Sequence, residues 1–368
     1  MNPPIYFLRR TFLGLGFLLF YCEFLIFYTT QITCTWPSLD PSKQDPNITS
    51  SEPPVKAMIL ADTHLLGSRH GHWFDKLRRE WQMYRAFQTA ITIHRPEQVF
   101  ILGDLFDEGL YSSKKEFDYY IARFYSLFSV PEGTSMNVVV GNHDIGFHYH
   151  VNPYLKARFE KGFNAPSVRL VSVRGNHFVL VNSMALEGDG CFLCKPAEEE
   201  LAKIQRTLAC TQNFKTGCNL KLDKYSKPIL MQHYPLYRAS DKDCKDFDAA
   251  PLPQREEELF RETWECLSKA ATYQILRQIK PRLALSGHTH HGCTRQLPIG
   301  DGIEITIPSF SWRNKDNPNY ALGVFAANNY AISKCEMPKE SNVINMYMWG
   351  IGGLFLYLLL CKRYKLHR

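Results

Sequence analysis

Between its two ends this 368-residue chain has almost no excess charge of either sign. Of a formal net charge of +7, one positive charge falls in residues 1–30. Four fall in residues 346–368, where Lys362, Arg363, Lys365 and Arg368 meet no acid. The two left for the middle argue against a nucleic-acid surface, which needs a basic field. No internal repeat is present, so solenoid and propeller architectures are not expected. No small-x-small cleavage site follows the first apolar run, which argues against a cleaved signal peptide. CxxC occurs only at Cys191–Cys194, without the second pair that a four-thiolate zinc site requires.

The long apolar runs lie at the ends. "TFLGLGFLLFYCEFLIFYT", Thr11 to Thr29, is long enough to span a bilayer, with Glu23 as its one acid. That acid is costly in lipid and calls for a partner or an interfacial position. "MYMWGIGGLFLYLLLC", Met346 to Cys361, is short for a span and would suit a thin membrane. Arg9 and Arg10 precede the first run and "KRYKLHR" follows the second, so the positive-inside tendency places both termini in the cytosol. The middle would then face a lumen. The sequon at Asn47 agrees with this, as does the placing of nine of the eleven cysteines between the runs. Nine leaves at least one unpaired within a monomer, and structural disulfides are expected in the insertion that includes Cys191 and Cys194.

The expected organisation is a cytosolic tail and membrane anchor over 1–33, a Pro/Ser-rich lumenal linker over 34–55 and a catalytic domain over 56–335. That domain would carry a cysteine-containing insertion at about 187–222. A second span with a basic cytosolic tail would follow over 336–368. The tail is not a plain dilysine signal, since Leu366 stands third from the end; it is expected to anchor the span, with coat or cargo-receptor contacts as the alternative.

In the middle one arrangement recurs five times: a short apolar run, then polar metal-type ligands. "KAMILAD" leads to Asp62 and His64, "QVFILGD" to Asp104 and Asp107, and "NVVVGNHD" ends in Asn142, His143 and Asp144. "PILMQHYP" carries His233, and "LALSGHTH" carries His288 and His290. Such runs read as buried strands. Between them, Phe74, Leu77, Trp81, Tyr84, Phe87 and Ile91 recur at helical spacing over 73–94, and 256–279 behaves similarly. Residues 114–128 and 197–209 are weaker helical candidates. The βαβ order implies an α/β fold of layered sheets covered by helices, with ligands converging beyond the carboxyl ends of the strands. Carboxylate, carboxamide and imidazole without thiolate suit manganese, iron or zinc. A pair of such ions can hold a phosphoryl group and activate water.

D-x-H, G-D-x-x-D, G-N-H-D, a later H and G-H-x-H form a set, here "DTH", "GDLFD", "GNHD", "QHYP" and "GHTH". The set resembles the signature of the calcineurin-like metallophosphoesterases. The resemblance implies a β-sandwich flanked by helices and a metal-dependent phosphodiesterase. It implies one ion held by Asp62, His64, Asp104 and His290, and a second held by Asp104, Asn142, His233 and His288. It gives His143 the role of general acid, oriented by Asp107 or a nearby carboxylate, while Asp144 braces the turn. Phosphoprotein phosphatases of this family follow the second aspartate of G-D-x-x-D with an arginine that binds a phosphate dianion. This chain has Glu108 there, which disfavours that branch and is expected to meet a cationic group beside a diester.

With its terminal spans, "LADTHLLG", "GDLFDEG" and "GNHDIGFH", the chain resembles the membrane-bound branch that remodels glycosylphosphatidylinositol (GPI) anchors. That resemblance implies manganese, GPI-anchored proteins as substrates, and action in the endoplasmic reticulum and on the way to the Golgi. Alternatives are a lumenal phosphodiesterase for another lipid headgroup or nucleotide diester, and a non-catalytic trafficking receptor on the same fold.

Overall fold

The computed structural model describes residues 3–46, 48, 52–213 and 222–366. Asn47 and Cys218 lie outside the described residues. Eleven strands are present among those described: β1 (Val55–Leu60), β2 (Gln98–Leu102), β3 (Ser135–Val139), β4 (Val168–Val173), β5 (Asn176–Val181), β6 (Ile229–Gln232), β7 (Leu283–Ser286), β8 (Cys293–Gln296), β9 (Ile303–Thr306), β10 (Asn319–Ala326) and β11 (Asn329–Glu336). They form two sheets, ordered β11-β10-β1-β2-β3 and β4-β5-β6-β7-β9-β8. β1, β2 and β3 run parallel, as do β5, β6, β7 and β9.

The five apolar runs become strands because both faces of each find cover. Val55, Ala57 and Ile59 of β1 point between the sheets, where they share one core with Phe100, Leu102, Phe178, Leu180, Ile229 and Leu283. Phe178 links the layers, with ring centroids 4.8 Å from Phe100 and 5.2 Å from Phe325. The alternate residues Met58, Leu60, Val99 and Ile101 face outward into a second core, against Met83, Ala86, Phe87 and Ala90 of the Trp73–His94 helix. The result is a sandwich covered by helices, as the α/β pattern required.

Two helical readings change. The Trp73–His94 helix forms, but Phe74 and Leu77 of its expected core stripe are 57% and 59% exposed. Its first turns extend past the sheet, and Trp81 packs edge-on against Phe24 of the first apolar helix, 5.5 Å between centroids. The stretch 256–279 is not one helix but Leu252–Glu257 and Lys269–Ile279. Thr263 has φ +66°, which interrupts the turn, and Ser268 starts the second helix by accepting from Ala271 N–H at 3.1 Å.

The ends form two apolar helices long enough to cross a membrane, Leu8–Gln31 and Glu340–Cys361. They provide a means of membrane association. The second begins six residues before the apolar run and reaches 22 residues, so it is not short for a span and calls for no thin membrane. Glu23 hydrogen-bonds to Tyr347 of the other helix, which supplies the partner its position demands. Cys34 is disulfide-bonded to Cys335, and Trp36 Nε1–H donates to His94 O at 3.2 Å. The Pro/Ser-rich segment is thus strapped to the domain at its start. Cys191 pairs with Cys194 and Cys244 with Cys293, while Cys210 is also disulfide-bonded. Cys266, between the spans, is free and buried.

Truncating Phe100, which fills the space between the sheets, is expected to cost about 3–5 kcal/mol in Phe100→Ala. A lowered thermal midpoint of the detergent-solubilised protein, set against an exposed control such as Tyr119→Ala, measures it.

Candidate metal centre

The parallel strands of both sheets deliver their ligand-type residues to one edge. Asp62 and His64 follow β1, Asp104 and Asp107 follow β2, Asn142 and His143 follow β3, His233 follows β6, and His288 and His290 follow β7. Donor atoms of Asp62, His64 and His290 lie within 4.8 Å of one another, as do those of Asp104, His233 and His288. His64 Nε2 and His233 Nε2 approach the same Asp104 oxygen, at 3.5 and 3.2 Å. Asn142 Oδ1 is 3.1 Å from His233 Nε2. The two expected ligand sets are therefore adjacent, with Asp104 between them.

Holding the donors there strains the backbone. Asp62, His64, Asp104, His288 and His290 all have φ between +44° and +73°. Among the described residues the other non-glycine examples include the helix ends Arg95, Asn164 and Lys280, where such angles are ordinary. Side chains of this kind avoid that region unless the surroundings impose it. Two glycines leave the necessary room. A Cβ on Gly103, at φ +88°, would sit 2.4 Å from His233 Nδ1, and one on Gly141 would sit 2.2 Å from Asp104 N and Oδ1.

Outer contacts fix which nitrogen of each imidazole faces the centre. A carbonyl oxygen only accepts, so His233 donates Nδ1–H to Leu102 O at 2.7 Å and His288 donates Nε2–H to Trp264 O at 2.6 Å. His64 donates Nδ1–H to Asp107 Oδ1 at 3.2 Å. The opposite nitrogens are left as lone pairs turned inward. His64 Nε2 lies 3.3 Å from His290 Nε2, and Asp104 Oδ2 and His288 Nδ1 are buried without a hydrogen-bond partner.

Lone pairs facing lone pairs around buried carboxylates need positive charge between them. Burial pushes the Asp62 carboxyl up to about 8, with Asp104 adding repulsion. Burial also opposes the charge on Asp104, but His233, His143 and His64 hold it well below the usual carboxylate range. Against its own burial, His233 is drawn up to about 9 by Asp104. Burial depresses His288 to about 3 and His290 well below its usual value. A protonated His233 relieves one contact; divalent cations would relieve them all. The donor set fits two such ions.

His143 also donates Nδ1–H to a carbonyl, that of Asp107, at 3.0 Å, which leaves Nε2 free. Its backbone N–H donates to Asp104 Oδ1 at 2.8 Å. The expected carboxylate contact is corrected here: Asp107 holds His143 through its main chain, because its side chain is committed to His64. Asp144 braces the turn, accepting from Gly141 N–H at 2.8 Å and Phe106 N–H at 3.0 Å.

Glu108 is a second correction. It is 1% exposed, and its oxygens accept from the backbone N–H groups of Arg69 (2.9 Å) and His70 (2.6 Å). Committed to pinning that loop, it has no face left for a cationic substrate group. Sequence reasoning also missed Arg313, whose Nε lies 3.6 Å from Asp107 Oδ1. It arrives on a segment after β9 that carries no motif, so nothing in the sequence marked it.

Metal analysis of purified variants tests the shared carboxylate. Asp104→Ala is expected to lose both ions, and His233→Ala or His288→Ala mainly one. His143→Gln is expected to keep both.

Similarity to known proteins agrees with this geometry. Residues 55–292 match the family described as calcineurin-like phosphoesterase. "Metallophosphoesterase 1" of Xenopus laevis is 44% identical over 373 residues, covering 98% of this chain and 91% of that protein. The Gallus gallus protein of the same name is 45% identical over 98% of this chain and 91% of its own length. That of Mus musculus is 46% identical over 93% of this chain and 86% of its own. The chain belongs to the calcineurin-like family of metal-dependent phosphoesterases.

Proposed function

We propose that this phosphodiesterase removes an ethanolamine-phosphate side branch from a mannose of GPI anchors, and so promotes exit of GPI-anchored proteins from the endoplasmic reticulum. The observation that carries the glycan reading is an aromatic wall beside the metal centre. Phe147, Tyr149 and Trp264 stack together, with centroids 4.9 Å apart for Phe147–Trp264 and 5.6 Å for Tyr149–Trp264. Tyr149 and Trp264 are exposed, and the Trp264 carbonyl is the one that holds His288. A flat apolar face next to the reacting phosphorus suits the C–H face of a sugar ring.

In this reading Asp62, His64, Asp104 and His290 hold one ion and Asp104, Asn142, His233 and His288 the other, with manganese the expected metal. When bound, two such ions supply positive charge to the non-bridging phosphoryl oxygens and make water acidic enough to attack. His143 performs the proton step. Its Nδ1–H is fixed on the Asp107 carbonyl at 3.0 Å, so Nε2 is the atom from which a proton can be delivered. Water gives up one proton to solvent, and its oxygen forms a bond to phosphorus as the bond to the sugar oxygen breaks. The Nε2 proton passes to that oxygen, and ethanolamine phosphate departs from a restored mannose hydroxyl. Arg313 stands at the rim, where a guanidinium can steady a phosphoryl oxygen.

The chain is proposed to have both termini in the cytosol and the catalytic domain in the lumen, glycosylated at Asn47. In intact microsomes the domain should resist protease while an epitope after Arg368 is digested; digestion of the domain without detergent would reverse the topology. His143→Gln should lower turnover by about 10²- to 10⁴-fold, and less for a diester with an acidic leaving group. Equal losses on both substrates would leave His143 an ordering role only. Tyr149→Ala should raise KM for the glycan-linked diester roughly threefold to tenfold, from about 0.5–1.5 kcal/mol of lost ring contact. The function itself is decided by mass spectrometry of anchor glycans from cells lacking the protein. An added ethanolamine phosphate on mature anchors is expected. Unchanged side branches would move the assignment to another lumenal diester.

A further inference from the structure

A cavity of about 550 Å³ lies between the Trp73–His94 helix and the two apolar end helices. It falls in the size range of small-molecule sites, roughly 300–1,000 Å³. Phe74, Leu77 and Trp81 line it at the spacing of one helical face, which explains why the first half of that stripe is absent from the core. Val343 and Ile344, in the first turns of the second end helix, form the opposite wall, and Leu19 closes it from the first. Val343 and Ile344 sit at the domain end of the second span and Leu19 at the middle of the first. The cavity therefore lies at the depth of the adjoining lipid leaflet.

In the proposed topology those walls border the bilayer, so the natural occupant is hydrocarbon. Charge lies alongside. Arg78, paired with Glu340 and with Asp75 at 3.1 Å, is among the lining residues and lies over the Trp312 ring, 5.9 Å from its centroid. This combination of apolar interior and charged flank matches a lipid chain below its headgroup.

The cavity and the metal centre share one short segment. Trp312 lines the cavity, and the next residue, Arg313, reaches Asp107. Upstream, Ser309 donates its hydroxyl to Asp62 O at 2.8 Å, and Phe310 N–H donates to Ala61 O at 2.9 Å. Gln82, fully buried on the cavity helix, accepts from Trp312 N–H at 3.3 Å and donates to Phe310 O at 3.4 Å. Residues 309–313 are thus a wall common to both sites.

We infer that this cavity receives one hydrocarbon chain of the lipid that carries the substrate, so that tail and phosphodiester are held on opposite sides of the 309–313 segment. The inference rests on the reading that the substrate is a GPI anchor, and gives that substrate a second point of attachment.

The test uses the full-length protein in phosphatidylcholine vesicles. Two forms of one anchor glycan are compared, the intact lipid form and the form freed of lipid by a phosphatidylinositol-specific phospholipase. Leu77→Trp and Val343→Trp, which fill the cavity from opposite walls, should lower the ratio of kcat/KM for intact over lipid-free substrate about tenfold, equivalent to excluding roughly two methylene groups. A phosphatidylinositol probe with a diazirine at its chain end should label peptides containing Leu77 or Val343 in the wild-type protein, and intact substrate should compete. An unchanged ratio in both variants, or labelling confined to other surfaces of the spans, would overturn the inference. Labelling at the cavity without the kinetic split would also overturn it, by making the occupant a bulk lipid. If the wild-type protein hydrolyses neither form, the functional reading itself fails and takes this inference with it; hydrolysis of both forms with an unchanged ratio removes the inference alone.

Discussion

The structure depends on one electrostatic constraint: two buried carboxylates, Asp62 and Asp104, share one site with five imidazoles, His64 and His233 buried and His143, His288 and His290 half-buried. Nothing in a sandwich core would tolerate that composition for its own sake. The fixed tautomers of His64, His233 and His288 turn lone pairs inward, and His233, which follows β6 of one sheet, is held by the Leu102 carbonyl of β2 in the other. The two sheets are therefore held in register by the centre as much as by Phe100, Phe178 and Phe325 between them. The left-handed backbone at five ligand-type positions is the conformational cost of this convergence, and the surrounding ladder hydrogen bonds sustain it.

Most of the fold was legible because its strands are buried on both faces. "KAMILAD" and "QVFILGD" read as continuous apolar runs, and polar ligands in the next residues marked where the strands end. The helices were less legible where tertiary context intervened. The pattern over 73–94 was periodic throughout, but periodicity cannot tell the sandwich core from another apolar surface, and Phe74 and Leu77 line the cavity beside the end helices instead. The pattern over 256–279 was also periodic, yet the chain leaves the helix where the Trp264 carbonyl is placed against His288. A backbone group carries no signal in a sequence.

The same limit explains the centre. Ligand-type side chains were readable from type and spacing, and all converge on one edge. The contacts that orient them were not. Asp107 reaches His64 with its side chain and His143 with its main chain, a division of labour that residue identity cannot reveal. Glu108 stood where the phosphoprotein phosphatases of the resemblance carry a phosphate-binding arginine, and chemistry alone suggested an exposed partner for an ammonium. Burial turned it into a clamp for the backbone at Arg69 and His70.

The bridge between Cys34 and Cys335 has a consequence for how the protein can be lost from the membrane. It joins the chain three residues after one apolar helix to the chain five residues before the other. A single proteolytic nick anywhere in the domain leaves both fragments tethered, each by its own helix. A nick in either short neck leaves the whole domain held by the other. Shedding of an intact soluble form would need two cuts, one in each neck, both on the membrane side of the bridge. The catalytic domain is in effect fastened at both ends by one covalent clasp, and its residence at the membrane does not depend on the integrity of any single peptide bond.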